Sequence, residues 1–173
     1  MNPSGKLPIT IPRSVGHLPA YYNHKPSARR GYLFDDVSPL FPFGFGLSYT
    51  EFKFSPPRLE KSTISRNEST KALVDVTNVG NRAGDAVVQL YIRDLVSSVT
   101  RPVKELKGFQ RVSLDPGASR TVELPITPES LAFWNITMEY VVEPGDFAVM
   151  TGPDSANLQT AILTVSDRPS RRS

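Results

Sequence analysis

The sequence predicts an all-β protein: an immunoglobulin-like antiparallel β-sandwich that follows an extended, proline-rich N-terminal segment. Three observations support this fold class. From about residue 50 the apolar residues recur in short alternating runs, which is typical of strands with one face on a core. Turn-forming sequences separate these runs at intervals of roughly ten residues. No amphipathic helix is recognisable along the 173 residues.

The first 49 residues have a different character from the rest of the chain. They hold seven of the 16 prolines, so a helix of useful length does not fit between them. We expect one short extended stretch, Leu7 to Ile11, interrupted by Pro8, and turns at Lys25-Pro26 and Ser38-Pro39. A stretch this long without periodic elements is unusual in a compact domain. We therefore expect residues 1–49 to lie against another structure.

The strands are predicted to begin at Thr50. Phe52 and Phe54 alternate with polar neighbours until Pro56-Pro57 interrupts the run. Two longer runs within residues 71–94 flank the turn sequence NVGNRAGD. One face of these two runs is predicted to be buried: Ala72, Val74, Val76, Val88, Leu90 and Ile92. The opposite face is predicted to be exposed: Leu73, Asp75, Thr77, Val87, Gln89, Tyr91 and Arg93.

The remaining strands are separated by turns at 115–119 (DPGAS), 143–146 (EPGD) and 152–157 (GPDSAN). A single helical turn is expected in TPESLAFW, where Thr127 is suited to cap it. The count reaches about seven strands between residues 50 and 166. Residues 167–173, DRPSRRS, are predicted to be a disordered tail.

Charge and composition argue against several classes of function. The net charge is +3, but residues 50–166 carry 12 basic and 14 acidic residues, so the excess lies at the two ends and nucleic-acid binding is not expected. There is no cysteine, which excludes disulfides and thiol chemistry. No apolar run is long enough to span a membrane. Residues 1–10 lack the apolar stretch of a signal peptide, and no compartment is indicated.

The catalytic and metal-binding patterns that we searched for are weak. His17 and His24 have no carboxylate at a ligand spacing, so we expect no metal site and no cofactor. The sequence FGFGLSY lacks the lysine and the helix start of a phosphate-binding loop. Asp35, Asp36 and Asp75 are expected to be solvated, so a carboxylate pair for glycoside hydrolysis is not predicted.

A few surface motifs leave alternatives open. Trp134 with Phe133 offers a platform for stacking a sugar, although a core or interface role is the preferred interpretation. Two sequons, at Asn67 and Asn135, match the pattern for N-glycosylation and are interpreted as chance matches.

Four separated motifs resemble one known family. FPFGFGLSYTEF (41–52), VDVTNVGNRAGDAVVQLYIRD (74–94), RPVKELKGFQRVSLDPGAS (101–119) and FWNITMEYVVEPGDFAVMTGPDS (133–155) are similar, in order and spacing, to the linker and C-terminal fibronectin type III-like domain of family 3 glycoside hydrolases, the β-glucosidase and β-xylosidase group. Residues 2–36 resemble the end of that family's α/β sandwich domain. The resemblance implies three parts: a remnant of that domain and linker (1–49), the β-sandwich (50–166) and the tail.

The resemblance also implies what the chain lacks. Family members carry the nucleophile and the acid/base on domains that precede this region, so no catalytic residue carries over to this chain. We therefore expect a non-catalytic accessory domain that packs on the catalytic domains of a β-glycosidase and stabilises them. A role at the rim of the substrate site is considered for His24, Arg29 and Arg30. Six aromatic side chains are expected to pack between domains: Tyr21, Tyr22, Phe41, Phe43, Phe45 and Tyr49. Some of these rings, and the stretch 20–22, are expected to be exposed in this chain.

Three further interpretations remain open. The exposed aromatic patch expected here is suited to drive association, including formation of a homodimer. A freestanding module that binds polysaccharide or a protein would need exposed aromatics on the sandwich, and the candidates are Tyr91, Phe109, Trp134, Tyr140 and Phe147. An autonomous hydrolase would require a pair of acids that the sequence does not reveal.

Overall fold

The structure is a computed structural model that describes residues 2–26 and 36–167. The predicted tail lies outside these residues except for Asp167. A short 3-10 turn, Val15–His17, is followed by eleven strands and one helical turn: β1 Phe52–Phe54, β2 Arg58–Leu59, β3 Thr63–Ser65, β4 Thr70–Asn78, β5 Gly84–Asp94, β6 Glu105–Leu114, β7 Ser119–Ile126, α1 Pro128–Leu131, β8 Phe133–Trp134, β9 Tyr140–Val141, β10 Gly145–Gly152 and β11 Gln159–Ser166.

Two sheets face each other across the core, which confirms the predicted β-sandwich. In the first sheet β4 pairs with β7 along one edge and with β1 and β2 along the other. In the second sheet the order is β3-β11-β10-β5-β6. The pairs of the two sheets are antiparallel except for β11 and β3, which are parallel at the edge of the second sheet. The hairpin of β8 and β9 lies outside both sheets.

The alternation of β4 produces its burial as predicted. Ala72, Val74 and Val76 are buried in the core between the sheets. Opposite them, Pro56-Pro57 divides the neighbouring chain into β1 and β2, because a proline cannot donate to the ladder and is tolerated on an edge strand. The predicted turns at 115–119, 143–146 and 152–157 all lie between strands, and α1 begins after Thr127 as expected.

The buried Asn78 ends β4 and holds three neighbouring loops. Its side-chain oxygen accepts hydrogen bonds from the Thr50 hydroxyl (2.7 Å) and from the Gly80 amide. Its side-chain amide donates to the carbonyl groups of Arg82 (2.7 Å) and Leu114 (3.0 Å). All of its polar capacity is therefore used, as a buried amide requires. Within the described residues, no helix is long and apolar enough to cross a membrane.

Candidate functional site

Residues 2–26 and 36–49, hereafter the head segment, lie against the outer face of the second sheet. Tyr91 and Gln89 of β5 point to this face, and both are buried. Alternation along β5 predicted that these two side chains would be exposed, and that prediction is wrong. The reason is that the head segment covers the second face of the strand, so β5 is buried on both sides.

Aromatic stacking joins the head segment to the sheet. The Tyr22 ring stacks on Phe43 with centroids 4.3 Å apart, and its edge meets the Tyr91 ring at 5.7 Å. The Tyr22 hydroxyl also accepts a hydrogen bond from the backbone N–H of Leu106 on β6. Burial raises the pKa of the Tyr91 hydroxyl well above its usual range, so this phenol stays protonated. Together these contacts form a small second core beneath the head segment.

The Gln89 side chain, hereafter the clamp, forms hydrogen bonds at the junction between the head segment and the second sheet. Its Nε2 donates to the carbonyl oxygens of Gly44 (3.0 Å) and Pro153 (2.7 Å), and its Oε1 accepts from the Tyr91 hydroxyl at 2.5 Å. Gly44 has a φ of +80°, and a Cβ at that position would overlap the Gln89 amide. Glycine is therefore required here both for the backbone conformation and for the close approach.

The head segment is also held together by its own backbone. The Leu7 N–H donates to the Phe45 carbonyl and the Gly44 N–H donates to the Leu7 carbonyl, each at 2.8 Å. Ile11 pairs with Phe41 in an antiparallel bridge. The stretch from Leu7 to Ile11 therefore pairs at its two ends with the sequence FPFGF, bends at Pro8 and Ile9, and lies outside both sheets. Asn2 closes this unit by accepting a hydrogen bond from the Tyr49 amide.

Two half-buried lysines flank the junction. Burial lowers the pKa of Lys6, in the head segment, and of Lys104, while the nearby carboxylate of Asp154 opposes the shift in both. The Lys104 ammonium donates to the Ser155 carbonyl at 2.6 Å, and the Ser155 amide donates to Phe43. The loop after β10 is therefore joined both to the residue that precedes β6 and to the head segment.

The predicted interdomain residues divide into two groups. Tyr22, Phe43 and Phe45 are half-buried, whereas Tyr21, Phe41 and Tyr49 are exposed. The expectation that residues 20–22 are exposed is therefore correct for Tyr21 and wrong for Tyr22, which packs on Tyr91. The exposed group extends to other large apolar side chains of the head segment: Ile9, Val15, Leu18, Leu40 and Leu47.

The candidate rim residues are only partly described. The His24 carbonyl accepts a hydrogen bond from the Val103 amide (2.9 Å), which fixes this part of the chain on the sandwich, and its ring lies edge-on to Tyr21. Arg29, Arg30 and Asp35 lie outside the described residues. Asp36 forms a salt bridge with Arg13 at 3.1 Å on the surface.

Among the residues that the structure describes, two carboxylates are buried, and both have structural partners. Asp94 pairs with the buried guanidinium of Arg101, and Asp154 accepts hydrogen bonds from the Ala156 and Asn157 amides. Asp154 lies in the predicted turn 152–157, whereas Asp94 lies at the end of β5. Within residues 2–26 and 36–167, no group of three or more histidines, aspartates and glutamates is placed to hold a metal.

Sequence analysis missed Gln89, Arg101 and Asn78 as organisers of the structure. A signal for Gln89 and Asn78 was present, because each is a polar residue inside or at the end of an otherwise apolar strand. Arg101 gave no such signal, since it lies in a polar loop and its burial depends on Asp94 and Phe133 meeting it in three dimensions.

Comparison with known proteins agrees with this geometry. Residues 1–49 match the family described as Glycosyl hydrolase family 3 C-terminal domain, and residues 86–155 match the Fibronectin type III-like domain. The two matches together cover more than half of the chain. The chain therefore corresponds to a C-terminal region of family 3 glycoside hydrolases.

Several relatives are similar over nearly the whole chain. It is 47% identical to the periplasmic β-glucosidase of Salmonella typhimurium and covers 22% of that protein with 91% of its own length. It is 45% identical to a β-xylosidase of Formosa agariphila, covering 24% of that protein with 95% of its own length. The chain thus spans about a fifth to a quarter of the length of these relatives.

Solved structures show the same backbone. A β-glucosidase from Erythrobacter marinus superposes with a TM-score of 0.92 and 48% identity, over 95% of this chain and 22% of that one. The β-glucosidase of Listeria innocua in complex with glucose gives a TM-score of 0.89 and 36% identity, over 95% and 24% of the two chains.

Proposed function

We propose that the chain is the non-catalytic accessory region of a family 3 β-glycosidase, which packs on the catalytic domains of the enzyme and stabilises them. The observation that carries the proposal is the orientation of the head segment. Its inner side chains are satisfied by the sandwich, while Tyr21, Phe41, Leu47 and Tyr49 remain exposed. Apolar side chains on a surface in this number are typical of a contact with another domain.

The chain divides, in this proposal, into residues 1–49 and residues 50–166. The first part is the end of an α/β sandwich domain with its linker, and the second is the fibronectin type III-like domain. The junction described above supports a rigid connection, because Gln89, Tyr22 and Ser155 join the two parts through hydrogen bonds and stacking. Movement of the catalytic domains would therefore be transmitted to the sandwich as a whole.

A role at the substrate rim is assigned to the segment that contains His24, Arg29 and Arg30. Support comes from His24, whose backbone is anchored on the sandwich by Val103. Guanidinium and imidazole groups are suited to donate hydrogen bonds to sugar hydroxyls. A second use of the exposed aromatic surface of the head segment, in place of contact with the catalytic domains, is the formation of a homodimer.

The proposal is tested with a fusion protein. The matching region of the Salmonella typhimurium β-glucosidase is replaced by this chain, and release of phenol from aryl β-glucoside and aryl β-xyloside is measured. We expect the fusion protein to hydrolyse the glycoside, the catalytic part without this region to be inactive or unstable, and this chain alone to release nothing. The proposal would be overturned by release from the chain alone that scales with its concentration and disappears when one acidic residue is substituted.

A further inference from the structure

The hairpin of β8 and β9 displays two aromatic rings on its outer face. Trp134 and Tyr140 are partners across the two strands, and their ring centroids are 5.4 Å apart at an angle of 49°. Trp134 is 59% exposed and Tyr140 is 52% exposed. The sequence contains a single tryptophan, and it is this one. Such rings are normally buried, because each offers a large apolar area.

The hairpin is rigid at this position. On its inner face Phe133 is buried, and the Arg101 guanidinium lies 4.6 Å from the centre of that ring. At the tip, the Asn135 side-chain oxygen accepts hydrogen bonds from the backbone amides of Thr137 (3.0 Å) and Glu139 (2.9 Å). The two exposed rings are therefore presented on a preorganised support, which lowers the entropic cost of binding a ligand.

Polar groups surround the aromatic pair. The Glu139 carboxylate lies beside Tyr140 and accepts hydrogen bonds from Thr137 and Asn135. Tyr140 also lines a cleft of about 310 Å³ together with Arg66, Asn67 and Glu129, among others. An apolar platform edged by hydrogen-bonding groups is typical of a site for a small polar ligand with an apolar face.

We propose that Trp134 and Tyr140 form a binding surface for a saccharide with β-linked glucosyl or xylosyl units. The substituents of these pyranoses are equatorial, so both faces of the ring present only C–H groups and the hydroxyls point outward. The C–H groups carry a small positive charge and stack on the electron-rich face of an aromatic ring. The outward hydroxyls are then available to polar groups next to Tyr140, namely Glu139 and the Asn67 that shares its cleft.

Charge favours a saccharide over a second copy of this chain. Hydrogen bonds from the Thr127 side chain lower the pKa of Glu129, and those from the side chains of Thr137 and Asn135 lower the pKa of Glu139, so both carboxylates are ionised at neutral pH. A symmetric contact through this hairpin would place these carboxylates opposite their own copies. A neutral sugar meets no such repulsion, and its hydroxyls donate to the same oxygens.

This inference goes beyond the accessory role, since it concerns a surface on the sandwich and not the head segment. The identity of the sugar rests on the proposed function, through the relatives that are β-glucosidases and β-xylosidases. The existence of an aromatic binding surface does not rest on the proposed function. Binding by the isolated chain is therefore measured without reference to hydrolysis, so that failure of one proposal leaves the other standing.

The experiment uses tryptophan fluorescence, because the single tryptophan reports from within the proposed site. The full chain is titrated with cellohexaose and xylohexaose, and with mannohexaose, whose axial hydroxyls disturb the C–H face. We expect a saturable change in emission with the first two sugars and binding to mannohexaose that is weaker by about tenfold. In Tyr140→Ala, which keeps the reporter, we expect binding to cellohexaose and xylohexaose to weaken by at least about tenfold.

A matched variant controls for general effects of removing an exposed aromatic residue. Phe109 on β6 is 70% exposed and lies on the second sheet, so Phe109→Ala should bind the sugars as the wild type does. Trp134→Ala is examined by calorimetry, and its fold is checked by circular dichroism. The proposal is overturned if no titration saturates or if Tyr140→Ala binds the sugars as well as the wild type does. It is also overturned if the wild type self-associates in sedimentation, if Trp134→Ala abolishes this self-association, and if sugar has no effect on it.

Discussion

Arg101 joins three parts of the sandwich through one buried guanidinium. It pairs with Asp94 at the end of β5 (3.3 Å) and with Glu105 at the start of β6 (2.9 Å), and it donates to the Leu131 carbonyl at the end of α1. The side chains of Arg101 and Asp94 are only 8% and 2% exposed. Burial raises the pKa of Asp94, and the positive charge of Arg101 opposes that rise. The pair is therefore held in a site where a single charge would be costly.

Substitution of Arg101 by alanine should be strongly destabilising. It leaves Asp94 buried without its partner, so we expect the free energy of unfolding in urea to fall by about 3–5 kcal/mol. Arg111→Ala is the matched control, because its salt bridge with Asp85 is similar in length (2.9 Å) but its side chain is 65% exposed. That control should cost less than about 1 kcal/mol. Equal losses in the two variants would contradict the account of Arg101.

Gly44 should be far less tolerant of a side chain than Gly117, although both have a positive φ. Gly117→Ala meets no neighbouring atom and should cost about 1–2 kcal/mol from its backbone conformation alone. Gly44→Ala adds a clash with Gln89 and should loosen the head segment. Hydrogen exchange of the Ser155 amide, which donates to Phe43, is expected to accelerate in Gly44→Ala and to stay unchanged in Gly117→Ala. Unchanged exchange in both variants would be evidence against the clamp.

The depressed pKa of Lys104 predicts a pH dependence of stability. Because its folded pKa lies below the unfolded value of 10.5, the unfolded chain binds more protons between the two values, and stability rises with pH in that window. As the pH is raised from neutrality towards 10, the stability of the wild type to urea should therefore increase more than that of Lys104→Met. The Tyr91 phenol has a raised pKa and affects the stability only above this pH range. The same pH slope in both proteins would refute the prediction.

At the scale of elements, the head segment is held on the sandwich by its contacts with β5. Tyr22→Ala removes the stacking on Phe43 and Tyr91 and the hydrogen bond from Leu106. We expect limited proteolysis to cleave residues 1–49 at least about tenfold faster in this variant, while the sandwich resists, because local opening is governed by local contacts. Tyr21→Ala, at the exposed neighbour, should be cleaved at the wild-type rate.

The sequence predicted the elements whose burial follows from local pattern. β4 alternates and is buried on one face, and the turns at Asp115-Pro116-Gly117 and Pro144-Gly145 require their residue types. It failed at β5, because coverage of its second face depends on a segment more than forty residues away. The parallel pairing of β3 with β11 is likewise not encoded in local pattern, because these strands are remote in sequence.

The candidate site was predicted in its composition and not in its orientation. Aromatic residues between glycines and prolines indicated a packed segment, which the described residues show. Which rings point inward depends on the backbone pairing of Leu7 with Phe45 and of Ile11 with Phe41, and no local pattern encodes that pairing. The exposed pair of Trp134 and Tyr140 was visible only as two aromatics near a turn, since their contact requires the register of β8 and β9.

At the scale of the whole molecule, the most unusual feature is the group of exposed apolar side chains on the head segment. Leu47 is 74% exposed and Tyr49 is 68% exposed, although their backbone is ordered by Asn2. In the isolated chain such residues contribute little to stability. In the proposed larger enzyme, contact with the catalytic domains would bury these side chains, and each would then contribute more than about 1 kcal/mol to the free energy of unfolding.

The most direct test measures that difference in context. Leu47 and Tyr49 are both substituted by serine, in the isolated chain and in the fusion protein with the Salmonella typhimurium catalytic domains, and the unfolding temperature is recorded for each. The account predicts no change in the isolated chain and a decrease of at least about 3 °C in the fusion protein, whereas Phe109→Ser changes neither. An unchanged unfolding temperature in the fusion protein would contradict the claim that this surface docks on the catalytic domains.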